Sequence, residues 1–197
     1  MHSCVYVIIG KTGDIETLVA TAMQPFNEDL AVDRYKLHLS ASTVVAMARH
    51  YNLRETDRKS LAKKIRDWVG CPGGEDELGL FALCSHNPDG KFDWYEIGGR
   101  FNGCVLGKHR PRPFATSPSL DANLIAVSDL LRMRDFNKRL PVAVVTPHGE
   151  WIERSKFVEN TTGWFLREQP LRDWQRIVRR VLRTFVDHRV VCVDSHC

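Results

Sequence analysis

An α+β fold with a mainly antiparallel sheet is predicted by three features of this sequence. Short β-rich apolar runs stand near both ends, at Cys4–Ile9 and Val190–Val193, and stretches with helical spacing of apolar residues lie between them. Strands are joined in some places by tight turns and in others by helices, which argues against a doubly wound parallel sheet. With 197 residues, 43% hydrophobic and 26% charged, the chain can bury one sizeable core, so a single domain over 1–197 is expected.

In order, Cys4–Ile9 is a strand ended by Gly10, and Asp14 caps a helix in which Ile15, Leu18, Val19 and Ala22 share a face until Pro25 closes it. Residues 26–35 read as irregular. Ser42–Tyr51 is a helix with Val44, Val45, Ala48 and Tyr51 inward. Thr56–Val69 is another, with an inward stripe of Leu61, Ile65, Trp68 and Val69 and a stop at Gly70–Gly74. Asn87-Pro88-Asp89-Gly90 turns the chain, Pro88 presetting φ and Gly90 accepting positive φ, into a strand over Lys91–Ile97 with a bulge at Trp94-Tyr95. Gly98-Gly99 removes two side chains beside Arg100, so another backbone or a ligand can come close. Residues 107–121 form an exposed basic loop containing three prolines, Lys108, His109, Arg110 and Arg112. Leu124–Phe136 reads as a helix, Val142–Val145 as a buried strand and Pro147-His148-Gly149 as a hairpin turn into a return strand at Trp151-Ile152. Pro170 opens the last helix.

The blocks NPDGKFDWYEIGGRFNG (87–103), VVTPHGEWIE (144–153), TGWF (162–165) and VDSHC (193–197) resemble a group of uncharacterised accessory proteins of phages and mobile elements that share an NPxxKxDWYxIGGR-type stretch. Here Phe92 stands where that pattern has Trp, and Ser195-His196-Cys197 where it has a Cys-His pair before an apolar residue. The resemblance implies a setting in phage or mobile DNA and no particular activity.

No apolar run approaches the roughly 18 residues of a membrane span, and the first ten residues lack a basic leader and cleavage site. A bacterial cytoplasmic location follows, with the six cysteines reduced, since a chain of this size does not need disulfide staples. The net charge of +4 is modest, but 19 arginines stand against 9 lysines.

The last helix concentrates that arginine. At 100° per residue Arg172, Arg176, Arg179, Arg180 and Arg183 fall within a stripe about 100° wide, opposite a face of Leu171, Trp174, Ile177, Val178, Val181, Leu182, Phe185 and Val186. Like charges so spaced repel by a few tenths of a kcal/mol per pair, and a phosphate- or carboxylate-bearing partner would offset this. A solvated face partly neutralised by Glu168 or Asp173 is the alternative. Lys108, Arg110 and Arg112 extend the basic character, and Trp94 and Tyr95, with Trp151 and Trp164, are aromatics able to stack on a planar group or to fill core.

Catalytic signals are weaker. No catalytic set is assigned; an acid–base pair would draw on Asp93, Arg100, Glu150 and His196, with Glu96 and His86 as further members if they converge at Gly98-Gly99. Asp194, His196 and Cys197 hold the residue types of a nucleophilic site, but neighbours on a strand face opposite ways. Cys84-Ser85-His86 and Cys192 with His196 offer zinc ligands in a C-x-H spacing that departs from structural zinc modules, so no cofactor or metal is assigned. Arg100 has two readings, ligand binding or an internal pair with Asp93 or Glu96. The expected function is binding, to a nucleic acid or to a nucleic-acid-handling host protein or ribonucleoprotein complex such as a defence system, in the manner of an anti-CRISPR antagonist. The alternative is a small enzyme acting on a nucleotide or phosphodiester around Asp93–Arg100.

Overall fold

The structure, a computed structural model, describes residues 1–108, 120–160 and 163–197. The fold is α+β. Most of the basic loop, including Arg110 and Arg112, and part of the TGWF block lie outside the described residues. Two compact units are formed, one from Met1–Leu30, Asn87–Lys156 and Glu168–Cys197, the other from Ala31–His86 and Phe157–Arg167.

The first unit is built on a mixed sheet. Its strands are β1 (His2–Ile9), β5 (Trp94–Ile97), β6 (Leu124–Ala126), β7 (Ala143–Val145), β8 (Trp151–Glu153) and β11 (Arg189–His196), in the order β5-β11-β1-β7-β8 with β6 also on β11. β1 and β11 pair antiparallel over their whole length, from His2↔His196 to Ile9↔Arg189. β1 and β7 pair in parallel.

Alternation along β1 and β11 gives the sheet two apolar faces. Cys4, Tyr6, Ile8, Val190 and Cys192 face α4 (Val127–Arg132) and α5 (Leu171–Thr184), where Trp174, Val178 and Leu182 are fully buried, worth about 2 kcal/mol each. Val5, Val7, Ile9, Val191 and Val193 face α1 (Ile15–Met23), whose Asp14 cap accepts from the Thr17 amide at 2.9 Å as predicted. Trp174 Nε1 finds the Pro141 carbonyl at 2.8 Å, so its indole is buried without an orphan donor.

Several local expectations need correction. Leu124–Phe136 is not one helix: Leu124–Ala126 is claimed by β11 as a strand, and only Val127–Arg132 is helical. The strand expected over Lys91–Ile97 is confined to Trp94–Ile97, and the break falls at Asp93 rather than as a bulge. Phe92 is buried against Phe26 and Trp151, and Asn27 bridges to it. Gly90 does not adopt positive φ; it is small because a Cβ there would lie 2.9 Å from Glu28 Cα.

The second unit contains β2 (Tyr35–His38), β3 (Gly73–Asp76) and β4 (Gly79–Cys84) in an antiparallel sheet ordered β2-β4-β3, with α2 (Ala41–His50) and α3 (Arg58–Val69). Val44, Met47 and Ala48 meet Leu61, Ile65, Leu80 and Ala82 in its core. None of these three strands was predicted. β9 (Ser155–Asn160) and β10 (Gly163–Glu168) form a separate two-stranded sheet. No helix among the described residues is long and apolar enough to cross a membrane.

Asp76 ties β3 to β2, accepting from Lys36 at 2.7 Å, His38 at 3.0 Å and the Leu78 amide at 3.0 Å. The Lys36 and His38 bonds lower its pKa from 3.8 to about 2. A carboxyl depressed by folding contributes stability that is present above its unfolded pKa and is lost as pH falls through the folded one. Asp76→Asn should therefore melt below wild type at pH 6, with the gap closing between pH 4 and pH 2; thermal unfolding across that range checks it, and a pH-independent gap would refute it.

Candidate functional site

At one end of the main sheet the apolar face toward α4 and α5 turns polar. The row that continues Cys4 and Cys192 outward is Trp94, His196 and His2, which stand directly across from one another on β5, β11 and β1. Trp94 stacks on His196 with centroids 5.5 Å apart and planes 12° from parallel. The two imidazoles meet edge to face at 5.1 Å.

Each histidine is held by its own carboxylate through Nδ1. His196 Nδ1 lies 2.8 Å and 3.1 Å from the two oxygens of Asp93, whose Oδ1 also accepts the Trp94 amide at 2.8 Å. The bond to His196 holds the Asp93 carboxyl below its usual range. His2 Nδ1 lies 3.0 Å from Asp194 Oδ1, and Asp194 Oδ2 accepts the Arg100 amide at 2.9 Å. An ionised carboxylate only accepts, so each of these contacts is one in which Nδ1 donates, with Nε2 on the far side of the ring from the carboxylate. The side chains of His2 and His196 are 18% and 32% exposed, whereas that of Asp194 is only 1% exposed. A carboxylate buried to that degree requires its two donors, since an uncompensated one would cost several kcal/mol.

The double glycine makes room for this carboxylate and for Asn123. A Cβ on Gly99 would fall 2.5 Å from Asp194 Cβ and 2.6 Å from Oδ2, and one on Gly98 would fall 2.4 Å from the Asn123 amide. The gap expected to admit a ligand is thus filled by two side chains of the protein. Asn123, fully buried, accepts from the Gly103 amide at 3.0 Å and donates to Asn102 at 2.7 Å, fixing the loop that delivers the Arg100 amide.

The predicted site residues divide accordingly. Asp93, Trp94 and His196 converge. Arg100 contributes its backbone, its exposed side chain pairs with neither Asp93 nor Glu96, and the internal ion pair considered for it is not formed. Glu150 lies in the turn between β7 and β8, where its amide and carboxylate bond Thr146. Since Val7 pairs with Val145 there, that turn is about 20 Å along β1 from His2. Tyr95 points to the other face, where with Ile97, Glu16 and Thr17 it lines a cleft of about 590 Å³, separate from the histidine row. Asp194 serves His2 rather than His196, and Cys197 is exposed on the opposite alternation, so the nucleophilic set at the C-terminus is not assembled. Cys4, held well above its ordinary pKa by bonds to Cys104 and Cys192 and by burial, is inert core.

His2 is the participant the sequence reading missed. Its signal was its place two residues before Cys4 on the same face of an obvious strand.

On α5 the arginines differ in state. Arg176 pairs with Asp173, and Arg179 donates to Asn137 at 3.2 Å and lies over Phe136 at 4.6 Å. Arg172, Arg180 and Arg183 are exposed and have no acidic partner among the described residues. Lys108 is likewise exposed. His86 and Cys84 form a different group, with Cys71 and Tyr35, and are not joined by Cys192 or His196.

No family model, curated protein or solved structure matches the chain.

Gly99→Ala tests the support of Asp194. It combines a strained φ of +43° with a collision on a buried carboxylate and should cost roughly 3 kcal/mol or more in chemical denaturation. Gly149→Ala, also at positive φ but in open space, should cost only about 1 kcal/mol. Equal losses would show that the close approach to Asp194 is unimportant.

Proposed function

We propose that the chain is a small enzyme acting on a nucleotide or phosphodiester by general acid–base catalysis at His2 and His196. The observation that carries this reading is the pair of neighbouring imidazoles, each oriented at Nδ1 by a separate carboxylate. Such a pair can work on both sides of one phosphorus. The neutral imidazole takes a proton from an attacking hydroxyl or water as the new P–O bond forms. The protonated one gives its proton to the leaving oxygen as the old P–O bond breaks, and the two rings exchange states. Asp93 and Asp194 fix the tautomers and stabilise the imidazolium in turn. Trp94, 43% exposed, offers a platform for a base, and Arg100, whose guanidinium has no acidic partner among the described residues, lies in the loop that holds Asp194.

Assay of the pure protein against single-stranded RNA, single-stranded DNA, cyclic nucleotides and an activated phosphodiester tests the reading. His2→Ala and His196→Ala should each lower kcat by about 10²–10⁴-fold. The wild-type rate should fall on both sides of a pH optimum, because one ring must be charged and the other neutral. An inactive wild type across the panel, or full activity in both variants, would overturn it.

The binding reading is supported by a different observation, the exposed Arg172, Arg180 and Arg183, which have no acidic partner among the described residues. Under it the protein is an accessory factor of a phage or mobile element that docks this face on a nucleic acid or a host complex containing one. Binding to single-stranded or duplex nucleic acid should then weaken steeply with salt, and replacing the three arginines by Glu should abolish it at low salt. Unchanged affinity in that variant would remove the docking face.

A further inference from the structure

The second unit contains a cluster that takes no part in the proposed reaction. The ligand atoms of Cys71, Cys84 and His86 all lie within 4.8 Å of one another. Cys84 ends β4 and His86 follows two residues on. Cys71 sits between the left-handed cap Gly70 and Pro72, whose carbonyl accepts the Leu83 amide at 2.7 Å, so the β3–β4 register extended by two residues sets Cys71 against Cys84. The segment is pinned from behind, because at Gly73 a Cβ would come within 2.4 Å of Ile65 Cβ and 2.5 Å of the Ala62 carbonyl. These thiols are therefore placed by a helix end and a strand end rather than by a free loop.

The histidine is oriented too. Tyr35, opposite Cys84 on β2, brings its hydroxyl to 3.4 Å from His86 Nε2, with the rings edge to face at 6.1 Å. A partner on one imidazole nitrogen is the arrangement that fixes a metal-binding ring and leaves the other nitrogen to ligate.

We infer that Cys71, Cys84 and His86 bind one soft divalent cation of the zinc class, with Tyr35 as the positioning residue and a fourth coordination place open to water or an external ligand. Bonds of about 2.1–2.3 Å in a tetrahedron separate ligand atoms by about 3.5–3.8 Å, so closing the set needs a movement of at most about 1.3 Å. Binding releases the two thiol protons to solvent. Two thiolates then neutralise the dication, which makes the site compatible with buried Cys84. Exposed His86 and partly exposed Cys71 give the ion a route in from solvent. Neither the acid–base reading nor the arginine face bears on this site.

The test is titration of the reduced, chelator-stripped full-length protein with Co²⁺, followed by displacement with Zn²⁺. One equivalent of cobalt should give a thiolate charge-transfer band and the intense visible bands of tetrahedral geometry, and zinc should erase both. Cys84→Ser should abolish the charge-transfer intensity. Should that buried substitution unfold the protein, exposed His86→Ala serves instead, with loss of the tetrahedral bands. Tyr35→Phe should weaken binding about 10- to 100-fold. Absence of thiolate bands in folded wild type, or a wild-type spectrum and affinity in His86→Ala, would overturn the assignment.

Discussion

The pairing of β1 with β11 is the constraint on which the first unit depends. Eight consecutive residues of one end of the chain meet eight of the other, so folding must close a loop of nearly the whole sequence before this ladder can form. Because side chains alternate, that one register decides which residues reach α5, which reach α1, and that His2 faces His196. A slip of one residue would carry Tyr6 and Ile8 to the opposite face and separate the histidines at the same time. Core and site are therefore fixed by the same hydrogen bonds.

The polar end of that ladder is held at a cost which the surrounding sequence offsets locally. Asp194 is buried where Cys192 and Val190 precede it as apolar residues, and its charge is met by an imidazole and one main-chain amide. The amide reaches it only because Gly98 and Gly99 leave the necessary space, and the loop keeps its shape because Asn123 satisfies it from within. Asp93 has a less buried version of the same task, between the His196 ring and the Trp94 amide. The two dyads thus differ in solvent exposure, so that two like residues stand in distinct environments.

Charge elsewhere is arranged with less internal constraint. α5 covers the sheet with Trp174, Val178 and Leu182 and turns its arginines outward. Two of these are engaged locally, while Arg172, Arg180 and Arg183 have no acidic partner among the described residues. Five like charges on fourteen residues are tolerated because the buried face contributes far more than the few tenths of a kcal/mol lost per repelling pair.

By itself the sequence determined the elements whose signals are local: the Asp14-capped helix, α2, α3 and α5, the apolar strands β1, β7 and β11, the turn at Asn87–Gly90 and the arginine stripe. It also singled out Asp93, Trp94, Arg100 and His196 as residues of interest. Tertiary structure decided the rest. Leu124–Ala126 has helical apolar spacing and becomes a strand because β11 has an edge to fill, while Gly73–Asp76 has poor strand propensity and is a strand because β4 pairs with it. His2 and Asp194 became partners, and Cys71 joined Cys84 and His86, through pairings between residues remote in sequence. Helical spacing and turn chemistry are written within a few neighbouring residues; strand register is a property of two segments at once, and the candidate sites of this protein are built from register.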